Sequence, residues 1–140
     1  MAVALASRYA QEYRRQQIEG ARPTELILLL YDGAIRRLNL GLSLLKEGPI
    51  EERHQHLVHA QRIVGGLADT LDMQRGGAVA ANLQKIYRYM IERIALANMQ
   101  DQSEPIEEVI GLLRELRESW EQLDAQEREK LGAGASQDGC

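Results

Sequence analysis

Three histidines fall within six residues, His54, His56 and His59, and are the first place to look for chemistry in this chain. Their spacings of two, three and five put them at widely different angles on a helix, and no two stand at i, i+4, where a shared metal would need them. Glu51 and His54 make one Glu-x-x-His, the spacing of di-iron bundles, but such a site takes two of these motifs plus two more inward glutamates. Glu51 is expected to point opposite the apolar stripe of its own helix, so the cluster reads as solvated helix surface. Cys140, the single cysteine, ends a Gly/Ala/Ser-rich stretch with no disulfide partner and no neighbouring ligand. No Gly-rich phosphate loop follows a strand, no Cys-x-x-Cys occurs, and no nucleophile has a histidine and acid to activate it. Gly76-Gly77 reads as a turn. The expectation is a protein with no metal, no cofactor and no catalytic site, and therefore not an enzyme.

Composition bounds the elements that could position anything else. A chain of 140 residues with 44% apolar content supports one domain around one core. Phe is absent, aromatics are 4% and prolines number three, so nothing interrupts long helices or favours a sheet, and the fold class is all-α. The net charge of -4, with both signs interspersed, offers no footprint for a phosphate backbone, which excludes nucleic acid as a partner. The N-terminus lacks a charged region ahead of an apolar core and does not read as a secretory signal. Within Leu26 to Leu45, Asp32, Arg36 and Arg37 would each cost roughly 2.5–3.5 kcal/mol at a bilayer centre, so no membrane insertion is expected. These readings place the chain in the cytoplasm.

Proline is tolerated in a helix's first turn, so Pro23, Pro49 and Pro105 mark starts. Gly48, Gly76-Gly77 and Asp101-Gln102-Ser103 supply breaks, giving a short extra N-terminal helix and four longer ones of about twenty residues. Short loops predict antiparallel neighbours and an up-and-down four-helix bundle. The last helix carries its core stripe at Val109, Leu112, Leu113, Leu116, Trp120 and Leu123, with Trp120 structural. The helix around 50–71 carries Leu57, Ala60, Ile63, Val64, Leu67 and Leu71, and its Gly65-Gly66 pair predicts a close helix approach. Met73, Met90 and Met99 read as core or helix-end packing, with an adaptable binding surface as the alternative. The bundle domain spans residues 1–124, and the polar, Gly/Ala-rich 125–140 is expected to be a disordered tail.

Two helices carry more apolar surface than one core needs. Between Pro23 and Leu45 a stripe of Leu26, Ile27, Leu30, Tyr31, Ala34, Leu38, Leu42 and Leu45 leaves Leu28, Leu29, Ile35, Leu40 and Leu44 outside its centre. In the helix after Gly77, an inner stripe of Val79, Leu83, Ile86, Tyr87, Met90, Ile94 and Ala97 leaves Tyr89 and Leu96 on another face. Excess of this kind marks either a protein partner or a homodimer burying the same stripes, and periodicity leaves both open. The candidate anchors are Leu28, Leu29, Ile35, Tyr89 and Leu96. If the helices alternate up and down, the two carrying them are diagonal, so a partner would have to wrap. Leu5, Tyr9 and Tyr13 form a narrow strip at i, i+4, i+8, followed by Ile18. A helix that short depends on packing for its order and could dock on the bundle and detach.

Tyr13-Arg-Arg-Gln-Gln-Ile18 followed by Arg22-Pro-Thr-Glu-Leu-Ile-Leu-Leu-Leu-Tyr-Asp-Gly-Ala-Ile-Arg-Arg-Leu38 resembles the opening of the FliS family of flagellin export chaperones. Ala60–Leu71, Ile86–Ile94 and Leu113–Trp120 resemble later segments in order, so the likeness covers roughly residues 9 to 124. Its specific part is Pro23-x-Glu25-Leu26 with Tyr31-Asp32-Gly33. The resemblance implies an antiparallel bundle that binds the C-terminal helices of flagellin and keeps them from polymerising before type III export, without cofactor or catalysis. It implies that Tyr9, Tyr13 and Ile18 act as an N-terminal lid on the client surface. Other flagellar or regulatory proteins are possible further partners, and a monomer or weak homodimer is the expected state. A homo-oligomeric structural bundle, or an adaptor for another helical client, is the alternative. The Gly65-Gly66 pair and the Gly76-Gly77 turn depart from the family's usual residues.

Overall fold

The computed structural model describes the backbone of residues 23–138 and the side chains of 24–132, and among these residues every regular element is a helix. The four are α1 (Pro23–Ser43), α2 (Ile50–Asp69), α3 (Gly77–Gln100) and α4 (Glu104–Asp138). Each proline stands at a helix start as expected: Pro23 opens α1, Pro49 caps α2 and Pro105 is the second residue of α4. The helix expected around Leu5 to Tyr13, the lid residues Tyr9, Tyr13 and Ile18, and Cys140 lie outside the described residues.

Local chemistry sets the turns. Glu51 and Glu52 sit in the first turn of α2, where a carboxylate complements the helix dipole. The Asp72 carboxylate accepts hydrogen bonds from the backbone N–H groups of Gln74 and Arg75, folding the α2–α3 connection into a tight Asx turn. Gly77 then enters α3 at φ +53°, a left-handed conformation that glycine adopts without steric cost. Asp101 closes α3 in the same region at φ 54°, its N–H returning to the Ala97 carbonyl.

The helices form a ring of neighbours in which the backbone of α1 lies against α2 and α4, and that of α3 against α2 and α4, while the diagonal pairs meet only through side chains across the core. Pairing positions run in opposite senses. On α1 and α4, Thr24 meets Asp124, Tyr31 meets Trp120 and Asp32 meets Arg117. The enclosed core is built from the expected stripes, with Leu30, Ala34 and Leu38 facing Leu57, Val64, Met90, Ile94 and Val109. Burying each of these leucine, isoleucine, valine and methionine side chains contributes about 1.5–3 kcal/mol.

Four positions depart from their expected burial. Val79, placed on the inner stripe by periodicity, is 68% exposed because it lies in the first turn of α3, where Ala80 takes the inward position. Leu123 is 41% exposed, since Asp124 is the residue that faces α1 there. Met73 and Met99 are exposed, and only Met90 belongs to the core. The last helix also runs on through residues 125–138, where a disordered tail was expected. Gln126 to Leu131 are good helix formers, Arg128 pairs with Asp124 one turn back, and Asp124 and Glu127 are tied to Thr24.

A close helix approach is at Gly41, while of the Gly65-Gly66 pair Gly66 is buried and Gly65 faces open space. A Cβ on Gly41 would lie 2.5 Å from Leu57 Cδ2, whereas one on Gly65 would meet nothing within 4 Å. Gly41→Ala is therefore expected to destabilise by about 1–3 kcal/mol through overpacking against a fully buried leucine. Gly65→Ala is expected to stabilise by about 0.5–1 kcal/mol through helix propensity alone. Urea unfolding of the two variants checks this, and equal shifts in the same direction would contradict the assigned contact.

Candidate functional site

The residues Thr24 to Gly33 tie α1 to its two neighbours. Thr24, 3% exposed, donates to Asp124 at 2.6 Å, and its hydroxyl lies 3.0 Å from a carboxylate oxygen of Glu127. Leu26 is buried. Tyr31 is fully buried, its hydroxyl 2.6 Å from that of Tyr87 on the diagonal helix α3 and accepting from Trp120 Nε1 at 3.1 Å. Asp32 receives Arg117 through two nitrogens, at 2.6 and 3.3 Å, a fork that fixes α4 against α1. Gly33 faces Ile63 of α2 at a spacing that a Cβ would turn into ordinary contact. Glu25 is half-buried. The segment is a structural joint, and none of its buried groups is available to a partner.

The five anchor candidates do not come together on one patch. Leu29 is 59% exposed and Tyr89 42%, while Leu28 and Leu96 are half-buried and Ile35 already packs partly on the core. Leu28, Leu29 and Ile35 belong to α1, Tyr89 and Leu96 to α3, and the backbones of those two helices are diagonal to one another. Tyr89 is engaged locally: its hydroxyl donates to Glu108 at 2.8 Å, Arg93 reaches the same carboxylate at 2.9 Å, and the guanidinium lies 5.9 Å from the ring centroid.

Two separate depressions that sequence reasoning missed lie at the α2–α3 seam. One depression of about 470 Å³ is lined by Ile50, Arg53, His54 and Met99, and a second of about 370 Å³ by Val58, Gly65 and Ile91. Ile50 and Met99 are 69% and 77% exposed. The signal was present in Ile50, Val58 and Gly65, which fall on one side of α2, but the stripe is too sparse to separate from a solvated face. Arg53 was also missed. Its side chain is buried, with Nη1 2.7 Å from Asp101 and Nη2 donating to the Asn98 carbonyl at 3.2 Å, while Nε has no partner.

The histidines are spread over separate contacts. Asn98 Nδ2 lies 2.8 Å from His54 Nδ1, and Arg37 donates to His56 Nδ1 at 3.1 Å. Among the described residues no group of three or more His, Cys, Asp or Glu is placed to hold a metal ion. Nor, among them, is any helix long and apolar enough to cross a membrane.

A family model described as flagellar protein FliS matches residues 5–127. The chain belongs to the FliS family. It is 37% identical over 116 residues to the flagellar secretion chaperone FliS of Salmonella typhimurium, covering 82% of this chain and 86% of that one. It is 35% identical over 113 residues to the flagellar secretion chaperone FliSB of Pseudomonas aeruginosa, covering 81% and 90%. With the Bacillus subtilis flagellar secretion chaperone FliS the identity is 28% over 123 residues, covering 87% and 91%. FliS is a family of chaperones and not of enzymes, in keeping with a site made of apolar faces and helix joints. The match reaches Glu127, so it takes in the Asp124 and Glu127 contacts to Thr24, beyond the boundary at 124 that composition suggested.

Proposed function

We propose that this FliS-family chain is a cytoplasmic export chaperone that binds the C-terminal helical region of flagellin, prevents its premature polymerisation and keeps it competent for flagellar type III secretion. The observation that carries the reading is the coexistence of family membership with large apolar side chains left outside a filled core. The body is an antiparallel up-and-down four-helix bundle, supported by the opposed order of its interhelical pairs. A short N-terminal helix carrying Tyr9, Tyr13 and Ile18 acts as a lid over part of the client surface, and the free protein is a monomer or weak homodimer. The client is anchored by Leu28, Leu29, Ile35, Tyr89 and Leu96 and wraps the bundle, because these residues belong to diagonal helices. The two α2–α3 depressions, one with Ile50 and Met99 and the other with Val58 and Ile91, join them as seats for apolar side chains of the client. Further flagellar or regulatory proteins use the same surfaces.

Calorimetric titration with the C-terminal fragment of flagellin from the same organism tests this. Tight one-to-one binding with a negative heat-capacity change is expected. Truncating a central anchor, Leu29→Ala or Tyr89→Ala, is expected to cost about 2 kcal/mol of binding, and rim positions little. Absence of binding by a fragment shown competent to fold, together with a dimer that persists on dilution, would replace the chaperone reading with a homo-oligomeric bundle.

A further inference from the structure

Two of the α2 histidines lie in the seam between α1 and α2. Arg37 and Gly41 of α1 meet His56 and Leu57, and Gly33 meets Ile63, so this flank of α2 is the one turned to α1. His59 stands three residues after His56 and four before Ile63, which at 100° per residue puts it on the same flank. Arg37, His56 and His59 are all half-buried. His54 is on the other flank, beside Asn98 of α3.

The contact between Arg37 and His56 exists in one protonation state only. A guanidinium has donors and no acceptor, so His56 Nδ1, 3.1 Å from Arg37 Nη1, must supply a lone pair and the ring must be neutral. A second proton on His56 turns Nδ1 into a donor and sets two cations against each other. Exposed Glu52, one turn before His56, is the carboxylate on hand to offset that charge.

His59 has no such neighbour. One turn away on α2 stand Gln55, His56, Arg62 and Ile63, and Glu52 is two turns off. Buried Arg53 is spent on Asp101 at the end of α3. Across the seam is Arg37. Of the two α1 carboxylates, Asp32 is drawn to Arg117 of α4, and Glu25 lies two turns before Gly33. The helix α3 meets the opposite flank of α2, where Gln61 donates to the Ile91 carbonyl, and α4 is the diagonal helix. Burial first, then Arg37, Arg62 and His56, hold the His59 pKa below the ordinary value of 6.5.

We propose that the α1–α2 seam is a pH-sensitive joint, closed while His56 and His59 are neutral and loosened when mild acid adds their charges to those of Arg37 and Arg62. Because His59 is harder to protonate folded than unfolded, its share of stability is whole above pH 6.5 and is lost as pH falls below that value. What loosens is α1, the helix that carries Pro23 to Leu38, while α3 and α4 keep the pair of Arg93 with Glu108.

Hydrogen exchange of the full chain at about pH 7.5 and about pH 5.5, corrected for the intrinsic pH dependence of exchange, tests the joint. Amides of Gly33–Gly41 and His56–Ile63 are expected to lose about tenfold in protection on acidification, and those of the α3–α4 seam to change little. His59→Gln puts a neutral polar side chain in place of the ring. Arg37→Gln keeps a donor for His56 and removes the fixed charge. Both variants should match wild type at the higher pH and lose most of the acid response, and since they remove different groups, a folding defect in one leaves the other to decide. If wild-type protection at the seam does not fall, falls equally in the variants, or falls evenly over all four helices, the inference is overturned.

Discussion

Tyr31→Phe is expected to lower the unfolding free energy by about 2–4 kcal/mol, and by more than Tyr87→Phe. The asymmetry follows from the order of the buried chain Trp120–Tyr31–Tyr87. Tyr31 accepts from the indole and shares a hydrogen bond with the second phenol, so removing its oxygen takes a partner from two groups, of which the indole also lies beside the Tyr87 hydroxyl. Removing the Tyr87 oxygen leaves Tyr31 with its indole donor. Each stranded group costs about 1–3 kcal/mol where water cannot reach it, with Trp120 at the lower end because it is only part-buried. The double variant should cost less than the sum of the two singles, since neither phenol is then left waiting for the other. Urea unfolding of the three variants decides the matter, and a Tyr87 effect equal to or larger than the Tyr31 effect would contradict the assigned hub.

The same pair sets the alkaline limit of the fold. Burial pushes the pKa of both phenols up, and for Tyr31 the nearby Tyr87 adds to the shift. A phenol whose pKa is higher folded than unfolded contributes stability that is intact below the unfolded value of 10.0 and is lost as pH rises above it. Stability should therefore be insensitive to these groups at neutral pH and decline only above the unfolded value of 10.0, at up to about 1.4 kcal/mol per pH unit for each tyrosine. Replacing both with phenylalanine should remove that component of the slope.

Arg53→Ala is expected to cost about 2–4 kcal/mol, while Arg53→Met should stay within about 1 kcal/mol of wild type. The arginine is a buried cation whose stem packs between α2 and the end of α3. Its head ties Asp101, held at φ 54°, and the Asn98 carbonyl to α2. Truncation leaves a cavity and an unpaired carbonyl together. Methionine keeps the volume and discards a charge whose Nε is already without a partner, and the Asp101 carboxylate left behind is 67% exposed and stays hydrated. Thermal unfolding of both variants checks the prediction. Equal losses would mean that the ion pair, not the packing, carries the site. Arg53 also lines the larger of the two α2–α3 depressions, so Arg53→Ala should weaken any ligand seated there as well.

Membership of the family was legible in one stretch, Pro23 to Leu38, because that stretch does two structural jobs at once and so constrains many adjacent residues. Leu26 and Tyr31 are buried, while Asp32 and Thr24 are clamped by α4. Read from the sequence, however, the motif gave no sign of being a joint. Its partners Arg117, Trp120 and Asp124 lie 85 to 100 residues away, and no periodicity links them.

What the sequence determined by itself was everything that depends on neighbours along the chain. Prolines in first turns, glycine and Asx turns, and a 3.6-residue apolar period specify four helices and most of the core, because these effects act over one or two turns. What only the tertiary structure decided was which apolar residues remain outside. Val79 and Leu123 sit on inward stripes and are exposed, because burial is set by the neighbouring helix and not by the wheel. The same reason puts a close approach at Gly41, buries Arg53, and carries α4 on to Asp138. Helix formation is local, whereas the shape of a surface that holds another protein depends on where each helix ends against the next.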